Sequence, residues 1–217
     1  MNQMIWGPEI QFSDDLGGAW SSGQGQARFS GDSGRIVDRL WHIEPGGESE
    51  SGGESEPGVM YAGVPPAALF RSDDSGDTWS EVKGLSTHPT FDQWQPGLGG
   101  LCLHSMVIDP RDTNRSWVGM SAVGVFGTSD GGENWQPMNQ SARADFLPDP
   151  FPEFGYCPHK LLSPKSHAAF SAATRRAKAG STSPVICLQG SGLSWAFTPR
   201  TRTLTMSCLK MRPWVTK

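Results

Sequence analysis

One octamer, written three times, constrains this chain of 217 residues more than any other feature. The copies are Ser13-Asp14-Asp15-Leu16-Gly17-Gly18-Ala19-Trp20, Ser72-Asp73-Asp74-Ser75-Gly76-Asp77-Thr78-Trp79 and Thr128-Ser129-Asp130-Gly131-Gly132-Glu133-Asn134-Trp135. Their tryptophans stand 59 and 56 residues apart. Near-equal spacing marks an internal repeat, and a period of this length means a solenoid, a propeller or an array.

Each octamer reads as a tight turn between two strands. The carboxylate of Asp15, Asp74 or Asp130 can accept backbone N–H groups across the turn. Ser13, Ser72 and Thr128 bring a hydroxyl to the same set. Gly17, Gly76 and Gly132 supply a positive φ. Trp20, Trp79 and Trp135 are expected to open the next strand and bury a large ring. An Asp held by backbone donors makes a poor general acid, so the octamers are read as structural.

Two repeats align without gaps at an offset of 56. Tyr61-Ala62-Gly63-Val64 matches Trp117-Val118-Gly119-Met120, and Leu69-Phe70-Arg71-Ser72 matches Val125-Phe126-Gly127-Thr128. Residues 59–64 and 67–71 are short β-rich runs bounded by Gly and Pro. Residues 36–43 and 104–109 read as the first strands of their repeats. Four short strands per repeat at fixed spacing predict an all-β propeller.

The octamers resemble the Asp box, or BNR repeat, of the sialidase-like β-propellers. The resemblance covers roughly residues 7–164. It implies four-stranded antiparallel blades, incomplete here at about three, and a likeness to bacterial BNR-repeat glycosyl hydrolase or exo-sialidase-like proteins. True sialidases resemble one another in a Phe/Tyr-Arg-Ile-Pro motif, an arginine triad and a Tyr–Glu nucleophile pair. The motif is absent here, and the tyrosines are Tyr61 and Tyr156. No sialidase catalytic residue is carried over.

Gly 27, Pro 17 and Trp 9 suit a turn-rich β protein. No run of 18 apolar residues predicts a membrane span. The first residues lack the pattern of a secretory leader, which leaves a cytoplasmic expectation. Cys102, Cys157, Cys187 and Cys208 form neither a CxxC pair nor a zinc spacing, so no metal and no cofactor is expected.

Charge divides the chain. Residues 1–153 carry all 22 acidic residues against eight Lys and Arg, a formal −14, whereas residues 154–217 carry ten Lys and Arg and no acid. A fourth repeat begins at His159-Lys160-Leu161-Leu162-Ser163-Pro164, yet Gly180-Ser181-Thr182-Ser183-Pro184 stands where its octamer is due. The expected division is therefore residues 1–164 as propeller blades and 165–217 as a basic segment. A shifted reading frame between about Lys160 and Ala179 accounts for the break. The competing account is a basic tail for an anionic partner, centred on Arg175-Arg176-Ala177-Lys178. That tail lacks the interleaved aromatics of a nucleic-acid binder. Residues 46–57, with Glu48, Glu50, Glu54 and Glu56, read as an exposed connection.

Functional side chains are sought on the long connections 80–103 and 136–158, since loops on a rigid scaffold carry function. The candidate carboxylates for glycoside chemistry are Asp92, Asp145, Asp149 and Glu153. Trp94 could stack on a sugar, His88, His104 and His159 could donate to hydroxyl or carboxylate groups, and Arg143 could bind an acid. Structural uses compete: His104 and His159 as strand pins, Trp94 as packing, Asp145 and Asp149 as turn caps, and Arg143 as a loop brace. The favoured function is a partial, non-catalytic propeller that binds a glycan or protein. The alternative is a glycoside hydrolase acting through the loop carboxylates. Open edges at both ends of an incomplete ring predict self-association.

Overall fold

The computed structural model describes residues 8–13, 15–46, 58–140, 142 and 148–162, and the backbone of a strand at Ile186–Gln189. Arg143, Asp145, residues 47–57 and most of the basic segment lie outside the described residues.

Strands β1 (Gln11–Phe12) and β2 (Ser21–Ser22) pair antiparallel across the first octamer. Next come β3 (His42–Pro45), β4 (Met60–Val64), β5 (Ala68–Ser72) and β6 (Ser80–Glu81), a four-stranded antiparallel sheet in chain order. The pattern repeats in β7 (Cys102–Asp109), β8 (Asp112–Ser121), β9 (Gly124–Thr128) and β10 (Gln136–Pro137). Finally β11 (Pro158–Leu162) pairs antiparallel with β12 (Ile186–Gln189), which lies in the basic segment. Two whole blades thus stand between two half blades. In both whole blades the octamer joins the third strand to the fourth.

The sheets stack face to face, and strict alternation along the second strand shows it. In β4, Ala62 and Val64 join Ile10, Phe29 and Phe70 in a cluster shared with the preceding half blade. Tyr61 turns the other way, into a cluster with Leu103, Val118 and Phe126 of the next blade. One repeat later, Val118 and Met120 face back into that cluster, and Trp117 faces forward to Leu161 of β11. Each sheet is therefore buried on both faces, which is why its strands read as continuous apolar runs and not as an alternation. Stacked four-stranded antiparallel sheets of this kind are the blades of a β-propeller.

Close approach between blades is set by glycine. A Cβ on Gly63 would stand 2.5 Å from the Leu103 carbonyl oxygen, and one on Gly84 would stand 2.2 Å from that of Glu133. Ser105, fully buried, accepts the Leu161 N–H on its Oγ at 2.9 Å and so ties β11 to β7.

Two expectations are corrected. The strand foreseen at 36–43 is His42–Pro45, because its partner β4 starts and ends at Met60 and Val64 and offers pairs only to residues 42–45; Ile36 is exposed. Trp20 is 62 % exposed, against 8 % for Trp79 and 4 % for Trp135. Only a two-stranded half blade surrounds Trp20 among the described residues, whereas the other two rings fill the seams between stacked sheets.

Candidate functional site

The octamers come first, because they fix the scaffold. In the second, Ser72 Oγ donates to Asp74 Oδ1 at 2.7 Å and accepts the Gly76 N–H at 2.8 Å. Asp74 accepts the Thr78 N–H at 2.8 Å and the Thr78 hydroxyl at 2.5 Å. Trp79 Nε1 donates to the Gly76 carbonyl at 3.0 Å. The third octamer repeats each bond with Thr128, Asp130, Gly132, Asn134 and Trp135. Glycine is required where it stands: Gly17, Gly76 and Gly132 have φ of +92°, +94° and +99°. Donation from the Thr78 hydroxyl and N–H, then Ser72, takes the Asp74 carboxyl down to about 2. Asn134 and Thr128 do the same for Asp130, also to about 2. Asp15 is lowered by the Ala19 N–H and the Ser13 hydroxyl, without a side-chain donor from position 19.

The connection between β6 and β7 opens with a short helix α1 (Lys83–Ser86) and carries His88, Asp92 and Trp94. Trp94 is buried: His88 stacks on it at 5.8 Å, Phe126 meets it edge-on at 5.1 Å, and Nε1 donates to Thr90 Oγ1 at 3.0 Å. Its faces are covered, so of the two uses weighed from sequence, platform and packing, its surroundings are those of packing. His88 is braced against Thr90, with Nδ1 2.8 Å from Oγ1. Burial holds its pKa below the usual histidine range, opposed in smaller part by the Trp135 backbone and the nearby Glu153 charge. Asp92 sits exposed on a short 3-10 turn.

The connection between β10 and β11 holds the other candidates. Asn139 is its anchor, buried, accepting the Val125 N–H at 2.8 Å and donating to the Glu153 carbonyl at 2.7 Å. Tyr156, also buried, donates its hydroxyl to the Ala142 carbonyl at 2.8 Å. Burial, then the charge of Asp149, raises the Tyr156 pKa. Asp149 accepts the Phe151 N–H at 2.9 Å, the turn-capping use weighed from sequence. These bonds hold a cleft of about 350 Å³ lined by Pro137, Asn139, Gln140, Phe151, Pro152 and Glu153. Phe151 is 57 % exposed on its wall. An exposed aromatic ring beside an amide and a carboxylate is a surface that can stack on a sugar ring and hydrogen-bond its hydroxyls.

His104 and His159 lie on the neighbouring strands β7 and β11, each where the strand pairing shifts register. Burial lowers the His104 pKa, and the charges of His159 and His42 lower it further. His42 on β3, which bonds to Glu44 at 3.0 Å, completes a row across three successive first strands. The charge of Glu153 thus reaches His88, and that of His159 reaches His104. Sequence reading missed Phe151, Gln140, Asn139 and His42. Phe151 could have been found in Pro150-Phe151-Pro152, since a large ring between two prolines cannot join a ladder strand easily.

No protein-family model matches the chain. Over 80 residues it is 28 % identical to an oligoxyloglucan-reducing end-specific xyloglucanase of Emericella nidulans, covering 36 % of this chain and 9 % of that protein. Over 84 residues it is 32 % identical to vacuolar protein sorting/targeting protein 10 of Colletotrichum graminicola, covering 39 % and 5 %. The chain therefore spans less than a tenth of either relative. Among solved structures it is similar to an ancestral GH74 enzyme (12 % identity, TM-score 0.41, 69 % of this chain and 17 % of that one). It is also similar to a Niastella koreensis GH74 enzyme (20 % identity, TM-score 0.41, 71 % and 20 %).

Proposed function

We propose that the chain is a sector of an Asp-box, sialidase-like propeller that binds a glycan without cleaving it, through the cleft between β10 and β11. The observation that carries this reading is Phe151, exposed on the wall of that cleft beside Gln140 and Glu153. A polysaccharide of xyloglucan type is the favoured ligand, after the activity in the name of one relative. On this reading residues 1–164 supply the blades, and the basic segment 165–217 adds to them through β12, which pairs with β11.

Binding is favoured over hydrolysis by the surroundings of the described candidate carboxylates, Asp145 lying outside them. A glycosidase acid is ordinarily kept protonated by burial in an apolar surrounding. Asp92, Asp149 and Glu153 are all exposed, and Asp149 is engaged in capping its own turn. The test is a panel of aryl glycosides and xyloglucan oligosaccharides, read for both turnover and binding. Binding without turnover is expected. Turnover that disappears in Asp149→Asn or Glu153→Gln would replace this reading with the hydrolase one.

A further inference from the structure

The two repeats that align at Tyr61 and Trp117 are followed by a second, shorter correspondence: Cys102-Leu103-His104 against Cys157-Pro158-His159. The fold makes it meaningful. Cys102 opens β7, and Cys157 immediately precedes β11, the neighbouring first strand. Both meet at one serine. Cys102 is the register partner of Ser121 across β7 and β8, and Ser121 Oγ lies 2.7 Å from Cys157 Sγ. Leu161 of β11 is held to Ser105 of β7, so the two strands are tied a few residues further on. Both cysteines are free thiols here, Cys102 buried and Cys157 partly exposed.

From this juxtaposition we infer that Cys102 and Cys157 are a thiol–disulfide pair that locks the β10–β11 connection to the second whole blade. The inference stands on the cysteine geometry and does not depend on the ligand of the adjacent cleft. The oxidant is a low-molecular-weight disulfide of glutathione type. Cys157, the accessible thiol, loses its proton and attacks one sulfur of that disulfide, breaking the S–S bond and releasing one small thiol. The Cys102 sulfur, deprotonated in turn, attacks the Cys157 sulfur and expels the second small thiol. Two protein thiols and one small disulfide become one protein disulfide and two small thiols, with no electron left over. Cys102 enters second for a physical reason: burial raises its pKa and the Cys157 charge raises it further, and the mixed disulfide removes that charge while placing a target sulfur beside it.

The full chain incubated with oxidised glutathione, alkylated and digested without reductant tests this directly. The expected product is one linked peptide pair joining Cys102 to Cys157, removed by dithiothreitol, with a higher thermal midpoint while oxidised. Cys102→Ser is expected to stop at a stable glutathione adduct on Cys157; the wild-type peptide map stands even if that variant fails to fold. Stable adducts without the linked pair in the wild type would overturn the inference. So would linkage of either cysteine to Cys187, to Cys208 or to a second molecule.

Discussion

At the scale of single residues, the octamer is a small cage for one carboxylate. Its seventh position decides how tight the cage is. Thr78 and Asn134 add a side-chain donor to the backbone one, whereas Ala19 cannot. The consequence for pH follows from the direction of the shift. A carboxyl whose folded pKa is depressed contributes stability above its unfolded pKa and loses it as pH falls toward the folded value. Asp74 and Asp130, both near 2, should therefore lose their contribution between about pH 4 and pH 2. Asp74→Asn should flatten that part of the stability–pH curve, read by chemical denaturation at stepped pH; an unchanged slope would refute the cage. Gly76→Ala tests the turn itself. A Cβ there meets only Trp79 and Met60 at 3.6 and 3.7 Å, so the loss comes from the +94° φ. About 1–2 kcal/mol of stability should disappear. Trp79→Ala should cost about 3–5 kcal/mol and Trp20→Ala far less, because one ring is buried and the other is not.

At the scale of elements, what was legible depended on whether a signal was local. The turns were read correctly from Asp, Gly and hydroxyl positions, because every bond in them lies within a few residues. Strands β4 and β5 were placed to within a residue, since a gapless offset fixed them against β8 and β9. The start of β3 was misplaced, because strand length there is set by the length of its partner and not by its own residues. For Trp94 the choice between platform and packing stayed open for a related reason: burial by His88 and Phe126 is a long-range fact. Asn139 was missed because an Asn in a loop looks the same whether or not it clamps two chain segments. Its role can be measured. Asn139→Ala leaves the buried Val125 N–H without its acceptor, which should cost about 1–3 kcal/mol and free the connection that carries Phe151. Ser105→Ala should cost a similar amount, about 1–3 kcal/mol, by orphaning the Leu161 N–H, yet leave the cleft unaltered. Equal effects of the two on ligand binding would argue against Asn139 as the anchor of the site.

At the scale of the whole molecule, the stacked blades bury one another, yet apolar side chains stand exposed at the outer elements. Trp20, Ile36, Trp41 and Ile43 are exposed around the first half blade and β3, and Leu162 on β11. Apolar surface of this kind favours association. The chain alone should therefore run as oligomers in light scattering, with a mass that falls on dilution; a monodisperse monomer with one cooperative melting transition would count against an open sector. No helix among the described residues is long and apolar enough to cross a membrane. The position of the cleft on a connection anchored to the second whole blade also means that binding need not await a closed ring. The most direct measurement is thus a calorimetric titration of the chain with xyloglucan oligosaccharide, beside Phe151→Ala. The account predicts saturable binding that falls at least tenfold when the ring is removed, about 1.4 kcal/mol, with the melting temperature unchanged. Binding that survives the loss of Phe151 would place the ligand elsewhere and contradict the assignment of the cleft.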